Sequence, residues 1–293
     1  MKTLYLECSL GVSGDMLLAA LSDLLPGGPE TLSRAVAALG LPGVSLRFSE
    51  PMIQGIRTRR VEVLEEAPQP LRHLADLTRI VEAAPEELWP RASKAKGIEA
   101  LTTLAKAESA VHNEPLEHIH FHEVGAVDTV VDVLGAVLLA GLTGAERVVA
   151  SPVNLGSGFV TFSHGRFPVP APASAELSKG MRTFATDSGM ELATPTGMAV
   201  VKTLADEYGR LPLGSVLGLG YGSGTYSAGA YPTFLRAWLV DCAEGERAHE
   251  HGQHHGHGHG HDHHHHPHSH DHHHGHGHDH HHDHGHDHHG HGD

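Results

Sequence analysis

The chain has 293 residues, and 26 of its 32 histidines fall in the last 45 residues, from His249 to Asp293. That segment holds no residue that could enter a hydrophobic core, whereas residues 1–248 have the apolar content of an ordinary globular domain. The net charge of −15 divides into −8 for residues 1–248 and −7 for the remainder. Residues 1–248 are acidic overall and have no stripe of basic side chains, which excludes nucleic acid as the main partner.

The cellular setting is predicted from cysteines and hydropathy. Cys8 and Cys242 are too few for a disulfide framework and fit a reducing cytosol. No secretory leader is visible before the acid Glu7. The apolar stretch 124–142 contains Asp128 and Asp132, which a bilayer-spanning helix would carry only at a cost. We therefore expect a cytoplasmic protein without a membrane segment.

Predicted strands and helices alternate along residues 1–243, which favours a mixed α/β fold in one compact body. A short apolar strand (4–8) runs into the turn 11–15, where Asp15 is expected to cap a helix. The segment 26–29 ends that helix. The next predicted elements are a helix at 31–39, strands at 44–50 and 56–65 around a Gln54-Gly55 turn, helices at 71–83, 86–112, 128–142, 173–180 and 197–208, a glycine-rich loop at 218–224, and a strand at 233–241.

Residues 244–293 are predicted to form a disordered, metal-binding tail. Neutral imidazole suits nickel, zinc and copper, and closely spaced units such as His257, His259 and His261 let several rings reach one ion. Affinity should fall as the pH drops through about 6.5, where free imidazole titrates. The interleaved glycines and aspartates disfavour a purification tag, but a metal store unrelated to the body stays open.

A histidine–acid motif in the body is the main candidate site. His118, His120 and His122 alternate with apolar residues, so a strand would place the three imidazoles on one face. Asp128 and Asp132 follow, one turn apart on the next helix. We predict that these five residues ligate a borderline metal ion. The alternative is that Asp128 only caps the helix and the histidines are structural.

Two further segments could bind ligands. The turn Ser13-Gly14-Asp15 at a helix start offers free backbone N–H groups for an anion such as phosphate, although a turn and a cap explain it equally well. His164, beside Gly165, has room for close ligand approach and is as easily a loop histidine. We keep Ser13, Gly14, Asp15 and His164 as candidate cofactor-binding residues.

Several segments together resemble the nickel insertion protein of the nickel-pincer cofactor pathway, the LarC family. The resemblance rests on segments 11–16, 120–128, 153–158, 164–172, 194–197 and 220–222, which follow in the right order over nearly the whole body. The chain departs from the family pattern at three places. It has Glu7 where the family has Asp and Thr233 where the family has Asn, and it lacks the aromatic residue that the family has near Ser9. The family also continues into a C-terminal domain, so the chain resembles an N-terminal half.

The resemblance implies a cytidine-triphosphate (CTP)-dependent insertion of nickel into a pyridinium mononucleotide that bears two sulfur-containing carboxyl groups. The product serves lactate racemase. His120, His122, Glu123 and Asp128 are the expected catalytic residues. CTP, with magnesium or manganese, is expected on the C-terminal half, which would be a partner of this chain, and we expect a homo-oligomer. Two other functions stay open: a nickel chaperone or store without catalysis, and a metal-dependent phosphoester hydrolase.

Overall fold

The computed structural model of the protein describes residues 1–70, 72–119, 127–225 and 231–242. Helices and strands are mixed throughout this part, which confirms the predicted α/β class. The helices are α1 (Gly14–Leu24), α2 (Gly28–Ala37), α3 (Leu74–Ala83), α4 (Arg91–His112), α5 (Val127–Leu142), α6 (Pro172–Leu177) and α7 (Pro195–Leu204). The strands are β1 (Lys2–Glu7), β2 (Val44–Ser49), β3 (Met52–Ile53), β4 (Ile56–Arg57), β5 (Arg60–Glu65), β6 (Arg147–Ala150), β7 (Val153–Asn154), β8 (Phe159–Phe162), β9 (Gly165–Pro168), β10 (Thr183–Phe184), β11 (Glu207–Tyr208), β12 (Ser215–Gly222) and β13 (Leu235–Asp241).

A five-stranded sheet in the order β11-β6-β1-β13-β12 forms the centre of the body. β1 runs parallel to β6 and antiparallel to β13, and β6 runs parallel to β11. Leu4 and Leu6 of β1 are fully buried, as expected for a central strand covered on its faces. The carboxyl ends of β1, β6 and β11 therefore share one edge of the sheet, here called the carboxyl edge.

α1 and α5 supply much of the core. α5 is buried along most of its length, and α1 is buried continuously from Met16 to Ser22. Gly97 and Gly135 allow close helix packing: a Cβ at Gly97 would lie 2.7 Å from Leu134 Cδ2, and one at Gly135 would lie 2.6 Å from Leu18 Cδ1. Each fully buried leucine contributes about 2 kcal/mol through removal of apolar surface from water. No helix among the described residues is both long and apolar enough to cross a membrane.

The segment predicted as a glycine-rich loop is largely a strand, so that prediction was wrong. Gly218, Gly220 and Gly222 alternate along β12 and face α1. A Cβ at Gly220 would lie 2.1 Å from the Ala20 carbonyl oxygen, and one at Gly222 would lie 2.2 Å from the Met16 carbonyl oxygen. Glycine is needed there because the helix backbone packs directly on the strand.

Helix boundaries also differ from the predictions for identifiable reasons. Ser13, not Asp15, is the N-cap of α1, and Asp15 lies in the first turn. The segment that ends α1 also begins α2, with Pro29 near its start. α4 begins only after Pro90. The predicted last helix ends at Leu204, because Glu207 and Tyr208 pair with β6 as β11.

The paired strands at 44–65 were predicted correctly in outline. β2 pairs antiparallel with β5. Between them, β3 and β4 form a small hairpin whose turn residues Gln54 and Gly55 have φ values of 48° and 83°. Two consecutive positive φ values are typical of a type I′ hairpin turn.

Candidate functional site

The chain leaves β1 at the carboxyl edge and reaches α1 through a short loop that is fixed to a second loop. Val12 N donates to Leu192 O at 2.8 Å, and Thr194 N donates to Val12 O at 2.9 Å. Gly11 has a φ of 102°, and a Cβ there would lie 2.2 Å from Leu192 O. Open α/β sheets commonly bind ligands beyond the carboxyl ends of their strands.

This pairing of loops brings the starts of α1 and α7 together. Thr194 caps α7, with its Oγ1 accepting from Gly197 N at 3.3 Å. A Cβ at Gly197 would lie 2.7 Å from both Ser13 Cα and Val12 O. The N-terminal ends of two helices, each with a partial positive charge, therefore lie side by side at the carboxyl edge.

α5 contributes an acid to the same place. A Cβ at Gly14 would lie 2.8 Å from Asp132 Oδ2 and 2.6 Å from Thr196 Cγ2. The first turns of α1 and α7 and the second turn of α5 thus meet around Gly14. Asp128 lies one turn before Asp132 and accepts from Thr129 N at 2.6 Å. We name Asp15, Asp128 and Asp132 the carboxylate cluster.

Asp15 is held from several sides. Its Oδ1 accepts from the Ser13 hydroxyl and from Met16 N, the latter at 2.8 Å. Its Oδ2 accepts from Thr225 N at 2.7 Å and from Thr225 Oγ1 at 3.1 Å. Gly224 also approaches closely, since a Cβ there would lie 3.0 Å from both Asp15 oxygens. The start of α1 is thus already capped by the chain's own carboxylate.

The electrostatics of the carboxylate cluster favour a cation. Burial raises the pKa of Asp132 well above its ordinary value, and the negative charges of Asp15 and Asp128 raise that pKa further. A bound cation would offset this repulsion. The Asp15 carboxylate at the start of α1 would repel an anion such as the phosphate considered for the Ser13-Gly14-Asp15 turn.

Buried polar groups next to this loop hold it in place. Asn154 is fully buried, and its Nδ2 donates to Ser9 O at 3.0 Å and to Thr186 Oγ1 at 2.9 Å. Tyr231 OH lies 3.3 Å from the same nitrogen. Glu191 accepts from Ala171 N at 3.2 Å, and burial raises its pKa. Asn154 lies in the segment 153–158 that carries the family resemblance, but the sequence did not predict these contacts.

The thiol at the end of β1 does not add a soft metal ligand. Cys8 is fully buried. Burial, with a smaller contribution from the charge of Glu7, raises its pKa to about 12. Only a thiolate ligates a metal ion well, so Cys8 stays protonated and inert near neutral pH.

The other predicted site residues fall into three groups. His118 is exposed at the end of a 3-10 turn, Leu116–His118, so its predicted place on a strand was wrong; Pro115 begins that turn. His164 lies in the β8–β9 hairpin with its ring against His112. The predicted ligands and catalytic residues outside the described residues are His120, His122, Glu123, His257, His259 and His261. Within the described ranges, no three His, Cys, Asp or Glu side chains are grouped so as to hold a metal ion, and this includes the three acids of the carboxylate cluster. The cluster by itself is therefore not a complete metal site.

The fold and the carboxylate cluster define a mixed α/β protein with an acidic site at the carboxyl edge of its sheet. The sequence profile of the family described as nickel insertion protein matches residues 4–272. The chain belongs to this nickel insertion family.

Individual relatives agree with that assignment. The pyridinium-3,5-bisthiocarboxylic acid mononucleotide nickel insertion protein of Desulfitobacterium hafniense (strain DSM 10664 / DCB-2) is 41% identical over 252 residues, which cover 85% of this chain and 61% of the relative. A relative from Geobacter sp. (strain M21) is 42% identical over 249 residues, covering 84% of this chain and 63% of the relative. The chain thus spans about three fifths of the length of these relatives. No solved structure matches it.

Proposed function

We propose that this chain handles nickel during its insertion into pyridinium-3,5-bisthiocarboxylic acid mononucleotide, the compound in the name of the Desulfitobacterium relative. The observation that carries the proposal is the carboxylate cluster, set at the carboxyl edge where α1, α5 and α7 meet. Family membership supports nickel as the cargo, and the negative charge of the cluster supports this end of the sheet as the place where the ion acts.

The reaction requires a base. When nickel bonds to a ring carbon, the carbon–hydrogen bond breaks and the proton passes to a base. The two sulfur atoms also coordinate the metal ion. A carboxyl group whose pKa is raised is, once ionised, a stronger base than an ordinary aspartate. Asp132 fits this description, and Asp15, fixed by Thr225, would hold the cation beside it.

The imidazoles of the histidine–acid motif complete the proposed nickel ligands. We propose that His118, His120 and His122 carry nickel, and that Glu123 and Asp128 assist as ligand or base. Imidazole nitrogens suit nickel, whereas carboxylate oxygens also suit magnesium or manganese. Asp15 and Asp132 would supply only part of a coordination shell, and a nucleotide-bound magnesium or manganese ion is a second ion that their oxygens would accept.

The nucleotide and the later fate of the product are further proposals. The resemblance supports CTP as co-substrate and lactate racemase as the user of the product. An acidic cluster repels a triphosphate, so we propose that CTP is bound by the part of the relatives that this chain does not span. Together the two parts would form a nickel-inserting lyase.

The test combines the full chain with Ni²⁺, CTP, the thiolated pyridinium mononucleotide and the C-terminal half of a relative. Product is followed by mass spectrometry. The double substitution H120A/H122A should abolish insertion while total bound nickel stays near its original level, because the tail histidines dominate the stoichiometry. Unchanged insertion by that variant would remove these histidines from the site.

A nickel chaperone or store is the second candidate, favoured by the 26 tail histidines. It predicts nickel transfer to a client and no insertion under any combination of nucleotide and partner. Insertion by the full mixture would reject it. No insertion, combined with nickel delivery to another protein, would replace the enzymatic proposal with this one.

A further inference from the structure

Two histidines of the described body contact each other. They differ from the carboxylate cluster in their chemistry and in their surroundings. His112 is the last residue of α4, and His164 lies in the turn between β8 and β9. Their ring centroids are 4.9 Å apart, with 50° between the ring planes. Both residues are exposed. We name His112 and His164 the imidazole pair.

The spacing of the imidazole pair matches two ligands of one metal ion. A metal–nitrogen bond of about 2.0–2.1 Å places a ring centroid about 3.2 Å from the ion. Two such rings are then about 4.5 Å apart at a right angle and about 5.2 Å apart at the tetrahedral angle. The observed 4.9 Å lies between these values.

Two features around His112 favour a cation there: the Glu108 carboxylate and the C-terminal end of α4. Glu108 Oε2 lies 3.5 Å from His112 Nε2, one helical turn away, and the Glu108 side chain is only 14% exposed. Metal-binding histidines commonly direct their second nitrogen to a carboxylate, which orients the ring and makes it a stronger ligand. In addition, His112 is at the C-terminal end of a 22-residue helix, where the backbone carbonyls attract positive charge.

The hairpin side is held by aromatic contacts. The Phe162 ring meets His164 edge to face, with centroids 6.0 Å apart, and stacks on Phe167 at 5.1 Å. The β8–β9 pairing fixes these residues relative to one another. His164 is therefore presented to α4 by a short, ordered hairpin.

We propose that the imidazole pair binds one Ni²⁺ ion through His112 and His164 and serves as a transfer site that holds the ion before it reaches the carboxylate cluster. Two protein ligands leave the remaining coordination positions open to water or to an incoming imidazole, which suits an ion that must move on. The chain continues from this end of α4 to His118 and the rest of the histidine–acid motif. The transfer role rests on the proposed function, but the binding site does not.

Protection from diethyl pyrocarbonate tests the site in the full chain. Cleavage after glutamate places His112 alone in the peptide 109–114 and His164 alone in 147–176, well separated from the tail. With Ni²⁺ in excess over the tail, both histidines should become protected, whereas Mg²⁺ should protect neither because it prefers oxygen ligands.

Variants show whether one ion is shared. His164→Gln should abolish protection of His112, and His112→Gln should abolish protection of His164. Ser163→Ala, a neighbouring change without a ligand nitrogen, should leave both protected. Glu108→Gln should raise the Ni²⁺ concentration for half-protection about tenfold. The modification rates of the variants without metal show whether the fold is kept.

Each outcome bears on one claim. Reciprocal loss of protection supports the shared ion. Protection of His112 that persists in His164→Gln, or absence of protection in the unsubstituted chain, overturns it. Protection together with failed insertion under every condition would disprove the proposed function and leave the site standing. Normal insertion by His112→Gln at limiting nickel would disprove the transfer role alone.

Discussion

The roles proposed for the carboxylate cluster and the imidazole pair depend on opposite chemistry. The cluster uses oxygen atoms at the starts of packed helices, and burial raises the pKa of Asp132. The pair uses exposed nitrogen atoms at the end of one helix. Borderline ions favour nitrogen ligands, and an exposed site allows exchange, whereas an acid with a raised pKa is a candidate for proton transfer. The difference suggests that collection and reaction are assigned to separate places.

Asp132→Asn gives the largest expected effect, because it removes the proposed base while keeping the shape of the side chain. We expect the rate of insertion to fall about 100-fold or more. Protection of the imidazole pair by Ni²⁺ should not change. The initial rate of product formation measures the first effect. Asp187→Asn, at an exposed acid outside the cluster, is the control and should retain full activity. An Asp132→Asn variant with full activity would remove Asp132 from the reaction.

Gly14→Ala tests the packing that brings the carboxylate cluster together. Its Cβ would lie 2.8 Å from Asp132 Oδ2 and 2.6 Å from Thr196 Cγ2, so α1 must shift or Asp132 must rotate. We expect a loss of about 1–3 kcal/mol in the free energy of unfolding, together with weaker insertion. Chemical denaturation measures the first quantity.

Gly209→Ala is the matched control for Gly14→Ala. Its Cβ would meet Val149 Cγ1 at 3.8 Å, an ordinary contact distance. The free energy of unfolding should change by no more than about 0.5 kcal/mol. Equal stability of the Gly14 and Gly209 variants would show that the close approach at Gly14 is not needed.

The pH dependence of stability should reveal the cost of ionising Asp132 in the folded chain. The pKa of Asp132 is higher in the folded than in the unfolded chain, so the folded state holds the proton more tightly. Its contribution is therefore most favourable at low pH and is lost as the pH rises from about 4 through the raised pKa. Relative to Asp132→Asn, the metal-free chain should therefore lose stability as the pH rises, which denaturant unfolding at a series of pH values measures. A difference that does not vary with pH would contradict the raised pKa.

Part of the fold could be predicted from local patterns. The apolar runs at 4–8 and 128–142 give β1 and α5 nearly within their observed bounds. The Gln54-Gly55 turn was found from its residue types. These elements are specified by neighbours in sequence, so periodicity and turn chemistry were enough.

Contacts between distant segments could not be predicted. Gly220 and Gly222 suggest a loop by composition, and only the closeness of α1 explains why they lie in a strand. The proximity of Asp15 to Asp132 depends on how α1 packs against α5. The pairing of His112 with His164 depends on the β8–β9 hairpin, and His112 carried no motif that marked it as a ligand.

Removal of residues 249–293 should have the smallest effect on both sites. The last strand along the chain, β13, ends at Asp241, so the deletion removes no residue of the described core. Without metal, the free energy of unfolding should change by less than about 0.5 kcal/mol. Bound nickel should drop sharply, whereas insertion should recover when free nickel is in excess. Titration with Ni²⁺ at fixed substrate measures that recovery. If insertion stays absent at saturating nickel, the tail takes part in the reaction itself and the separation between collection and reaction fails.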